Sequence, residues 1–114
     1  MKKLFSFLFA FIFISSLVYA QDTAELKKKI QAMNDKAAEM MVANDETGMW
    51  ANYSEDIISV PSYEPMLRGI EACKQSYKKM NESGMKMTAF KSTVTDVIDA
   101  GDYVVDIGTY KISM

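Results

Sequence analysis

The hydrophobic pattern changes character twice along the chain. Behind Lys2 and Lys3, residues 4–18 form an apolar run broken only by serines. Val18-Tyr19-Ala20 then puts small or compact residues at the two positions a signal peptidase reads. A basic start, a greasy middle and a cleavage point are the three parts of a secretory signal. The run is also about as long as a short membrane-spanning helix, for which roughly 20 apolar residues are typical. Polar Gln21-Asp22-Thr23 follows at once, so residues 1–20 read as a cleaved signal and residues 21–114 as one exported domain, periplasmic or secreted.

Beyond the leader the apolar positions take helical spacing. Asp22-Thr23-Ala24-Glu25 has the form of a capping box. Leu26, Ile30, Met33, Ala37, Met40 and Met41 recur at three- and four-residue steps, with Lys27, Lys28, Lys29, Asp35 and Lys36 mostly on the wet side. Asn44-Asp45 ends this helix, and residues 46–53 predict a second, short one that groups Met49, Trp50 and Tyr53. Residues 56–60 are rich in β-branched side chains and stop at Pro61, which predicts a short strand. Residues 62–67 read as a turn or irregular crossing. Gly69 opens a third helix with Ile70, Cys73, Tyr77 and Met80 on one face, and Gly84 suits its left-handed cap.

The second change comes at Met85, where strand formers take over. Residues 85–98 and 103–112 predict two strands joined by the turn Asp99-Ala100-Gly101-Asp102, an antiparallel hairpin. Helices gathered on one face of an antiparallel sheet make an α+β domain.

Composition narrows the chemistry. About 94 residues remain after the leader, enough for one small core. Cys73 is the only cysteine, so no internal disulfide can form and packing must hold the fold. Without Lys2 and Lys3, eleven basic residues face 15 acidic ones, a net charge of −4. No basic cluster is left to follow a phosphate backbone, which argues against nucleic acid as a partner. The chain has no histidine, hence neither the commonest metal ligand nor the usual general base near neutral pH.

Asn44-Asp45, Met49-Trp50, Tyr53-Ser54-Glu55-Asp56, Pro61, Pro65 and Arg68-Gly69-Ile70, in this order of elements, carry a resemblance to a known superfamily. The chain resembles the SnoaL-like and ketosteroid-isomerase-like proteins, which share the cone-shaped fold of nuclear transport factor 2. That resemblance implies three helices packed on a curved antiparallel sheet around a pocket, and frequent dimerisation through the sheet. It covers most of residues 22–112, and it implies two further strands that the sequence does not contain. The isomerase's aspartate base would fall near Val60, Pro61 and Ser62, none of which can serve. Its tyrosine would fall near Ala37, and its second acid beyond Met114. Binding without recognised catalysis is therefore the expectation.

Asp56 is the best remaining polar candidate. Half-buried near Trp50 and Tyr53 it would serve as a base for an isomerase or lyase; otherwise it bonds local backbone, as acids at such junctions commonly do. Trp50, Tyr53, Tyr63, Tyr77 and Phe90 suit an apolar pocket with hydroxyl tips, and each suits plain core packing equally well. Cys73 shares the buried helix face and reads as a small hydrophobe. The methionines bring copper to mind, since thioethers suit cuprous ions, but their spacing follows helix and strand periodicity and favours adaptable packing. Glu25, Glu39, Asp45 and Glu46 read as a solvated acidic face, so no metal or cofactor is expected. The partners expected are a small apolar or amphipathic molecule and a second copy paired through the sheet, with no stable membrane insertion after cleavage.

Overall fold

A computed structural model describes the backbone of residues 2–114 and the side chains of residues 22–114. The signal reading falls on residues 1–20 and lies outside the described side chains. Among the described residues no helix is long and apolar enough to cross a membrane. The elements run α1 (Lys2–Val42), α2 (Glu46–Trp50), β1 (Ile58–Ser59), β2 (Leu67–Arg68), α3 (Ile70–Glu82), β3 (Ala89–Asp99) and β4 (Val104–Ser113). This is an α+β chain. Its contacts divide into two units, Met1–Asn34 with Ser92–Thr109, and Asp35–Lys91 with Tyr110–Met114.

α1 covers the helix expected from Asp22 onward and ends at Val42; the turn preceding the capping box lies outside the described side chains.

In the first unit α1 docks on the hairpin through polar side chains. Gln31 accepts from the Val94 amide at 2.9 Å and donates to the Ser92 carbonyl at 3.0 Å. The Lys27 ammonium donates to the Thr95 carbonyl at 3.0 Å, and the Asn34 amide to the Asp106 carboxylate at 2.7 Å. Val94 and Val97 are the buried residues of β3. Their odd spacing breaks strict alternation, as an extra residue in a ladder does. Beside that break the Thr95 hydroxyl donates to the Ile107 carbonyl at 3.0 Å. Gly101, at φ +86°, makes the turn and donates to the Asp99 carboxylate. Every residue of β4 is exposed, among them Val105, Ile107, Tyr110 and Ile112.

In the second unit Ala38, Met49 and Cys73 are buried. Asp45 caps α2 by accepting from the Gly48 amide at 3.0 Å. A Cβ on Gly48 would run into that carboxylate. α2 stops at Trp50 rather than at residue 53. The strand expected over residues 56–60 shrinks to Ile58–Ser59, and its partner Leu67–Arg68 falls where a turn was expected. Ile58 pairs with Arg68 and Ser59 with Leu67, antiparallel. Gly69, at φ +83°, extends the pairing by donating to the Ile57 carbonyl at 2.7 Å and then opens α3. Gly84 closes α3 at φ +83°, as its position suggested.

β3 begins at Ala89, later than expected. The Thr88 amide, just before β3, donates to the Ser113 carbonyl at the end of β4 at 2.8 Å. The strands form two separate two-stranded sheets, β1–β2 and β3–β4.

Candidate functional site

The second unit contains a cavity of about 870 Å³ among α2, β1, β2 and α3. Sequence periodicity accounts for one wall. Cys73, Tyr77 and Met80 stand at i, i+4 and i+7 of α3, hence on one face, and all three line the cavity. The opposite aromatic wall comes from α2 and the turn after it. Trp50 lies 5.7 Å from Tyr53, tilted by 51°, and 5.8 Å from Tyr77, edge to face at 87°. Such geometries stabilise aromatic pairs beyond their buried area. Met49, behind Trp50, is only 3% exposed and anchors the short helix.

The two tyrosine hydroxyls of this lining differ in role. Tyr77 donates to the Asn44 side-chain carbonyl at 2.8 Å, so its ring is held from outside the cavity. The Tyr53 phenol titrates above its ordinary value, because burial penalises the phenolate and the Cys73 thiol nearby disfavours it further. Like any phenol, Tyr53 carries its proton at neutral pH and can donate. Glu64 and Lys79 add opposite charges to the lining, with Ser59, Ser76 and Ser83.

Of the six residues singled out by sequence, Trp50, Tyr53 and Tyr77 line this cavity together. The others stand elsewhere. Asp56 is exposed and accepts from the Ser54 hydroxyl, a side-chain partner rather than the local backbone expected for it. Tyr63 is fully exposed in a left-handed conformation, φ +65°. Phe90 stacks on Tyr110 at 5.9 Å, nearly parallel. Leu67, Met85 and Met114 line the cavity without having been anticipated. Leu67 was hidden because a two-residue strand has no readable period. The α3 stripe did announce Cys73 and Met80, whose role there looked like core alone.

The arrangement suits binding. A volume of this order fits small-molecule pockets, which run to roughly 300–1,000 Å³ and combine apolar walls with a few placed polar groups. Among the described residues no three His, Cys, Asp or Glu side chains gather as metal ligands would. No protein-family model matches the sequence, and a search of the curated proteins finds no match either.

Proposed function

We propose that the chain is an exported binding protein that holds a small amphipathic molecule in the cavity walled by Trp50, Tyr53 and Tyr77. The observation that carries this reading is the cavity of about 870 Å³ itself, walled by three aromatic rings with the Tyr53 phenol as a donor in its lining. A neutral donor there favours a ligand with an apolar body and one hydrogen-bond acceptor, such as a carbonyl or ether oxygen. Within this reading the domain is a relative of the SnoaL-like and ketosteroid-isomerase-like proteins, cone-shaped like nuclear transport factor 2. The order of helices and strands supports that kinship. Catalysis through Asp56 gains no support, since its carboxylate does not line the cavity.

Thermal unfolding against a panel of steroid-like ketones, fatty acids and aromatic dyes tests the binding reading. Ligand binding raises the melting temperature by mass action. Replacing Leu67 by Trp, which fills the cavity, removes the rise, and Tyr53→Phe weakens the ketones more than the dyes. A panel without effect, or a Leu67→Trp protein that responds like the parent, overturns the reading.

A second reading draws on β4, whose ten residues are all exposed. Pairing of two copies through the hairpin would cover it. Sedimentation over a wide concentration range decides: a dimer that dissociates on dilution supports the pairing, and a monomer throughout removes it.

A further inference from the structure

Spacing along the chain gives the methionines a packing role, but folding brings three of them together. Met41 at the end of α1, Met80 near the end of α3 and Met87 in the segment before β3 line one cavity of about 310 Å³, beside Asn44, Tyr77 and Lys86. All three methionines are half-buried. Asn44 fixes the frame around two of them. Its backbone is left-handed, φ +55°, and its side-chain carbonyl accepts from Tyr77 at 2.8 Å and from Asn81 at 3.3 Å. Those bonds tie the turn after α1 to α3, so the backbones that carry Met41 and Met80 are linked through Asn44.

We propose that this cavity binds one soft monovalent cation, cuprous copper in biological terms, through the thioether sulfurs of Met41, Met80 and Met87. Thioethers are neutral, polarisable donors that select cuprous ions over hard cations such as calcium or magnesium. Three rotatable bonds in each side chain let the sulfurs close on an ion smaller than the cavity. The Asn44 carbonyl already serves two donors and is not counted as a ligand. Thioethers bind without releasing a proton, so uptake is nearly independent of pH between 5 and 8, unlike sites built on thiols or imidazoles. The Lys86 ammonium opposes the ion, and its removal strengthens binding. The site does not depend on the ligand reading above, although Tyr77 and Met80 also line the larger cavity.

The test is a competition titration of the full chain with cuprous ion against a chromogenic chelator, under anaerobic conditions. The proposal expects one ion per chain, a loss of at least tenfold in affinity for each of Met41→Leu, Met80→Leu and Met87→Leu, and a gain of about fivefold for Lys86→Gln. Leu conserves volume, so the melting temperatures of these variants stay close to the parent and separate lost ligation from lost folding. Met33→Leu and Met66→Leu, at positions 65% and 50% exposed, leave binding unchanged. Three results would each overturn the proposal: no retained ion, equal retention in the three Leu variants, or loss on Cys73→Ala alone, which would assign the metal to the thiol.

Discussion

The side chain of Gln31 does for Val94 what a neighbouring strand would do. Its carbonyl accepts from the Val94 amide at 2.9 Å while its amide group donates to the Ser92 carbonyl at 3.0 Å. Adjacent odd and even residues of a strand direct their backbone groups to opposite sides. Thr93 faces Gly108 of β4, so Ser92 and Val94 face away from it, and Gln31 closes that outer edge of β3.

Gln31→Met keeps the length of the side chain and loses both bonds. The Val94 amide, on a residue only 4% exposed, is then left without its partner. The expected cost is about 1–3 kcal/mol in urea unfolding, with faster hydrogen exchange at the Val94 amide. Unchanged exchange there would show that the pair contributes nothing to the edge.

Asn44 combines a left-handed backbone with two side-chain bonds. Asn44→Ala loses the bonds and puts a Cβ where it is disfavoured, an expected loss of ~2 kcal/mol. Asn44→Gly loses the same bonds but suits the backbone, so it costs about 1 kcal/mol less than Ala. Denaturant midpoints for the two variants give the order directly; Ala as good as Gly would refute the backbone argument.

Two glycines are needed for lack of space. A Cβ on Gly108 would run into the Thr93 carbonyl, and one on Gly48 into the Asp45 carboxylate. Backbone cannot step aside as a side chain can. Gly108→Ala should therefore cost about 2–3 kcal/mol, against ~1 kcal/mol for Gly48→Ala, where Asp45 swings away and the cap is lost. Melting temperatures in the reverse order would show that Thr93 yields.

Tyr53 makes stability depend on alkaline pH. Its folded-state phenol titrates above the ordinary value of 10.0, so between these two values the folded chain holds a proton the unfolded chain has lost. Stability from this group is fully present below about pH 10 and falls as pH rises through the folded value. Tyr53→Phe should flatten that fall in denaturation curves taken from pH 9 upward. In ultraviolet phenolate titrations Tyr53 is expected to ionise late, and its ionisation to move down on addition of denaturant.

The long elements were legible because periodicity accumulates. α3 showed its face through Ile70, Cys73, Tyr77 and Met80, and the hairpin showed its turn through Gly101. What escaped was short or set by distant partners. β2 is two residues long and exists because Leu67 and Arg68 meet Ser59 and Ile58. The capping box at Asp22 is a local signal, and the turn before it lies outside the described side chains. Half of the expected pocket came together because Trp50 and Tyr53 sit three residues apart and Tyr77 belongs to a helix stripe. Tyr63 and Phe90 were placed by aromatic character alone, which carries no direction.

Closure of one edge of the hairpin has a consequence for growth. Gln31 occupies the outward backbone groups of Ser92 and Val94 in β3, while among the described residues no strand pairs with the far side of β4. Further strands can therefore be added at one side only. Two copies joined β4 to β4 would consume both open sides and leave none for a third. An exposed, apolar strand usually threatens open-ended fibres; were two copies of this hairpin to pair, the helix beside β3 would limit the assembly to two.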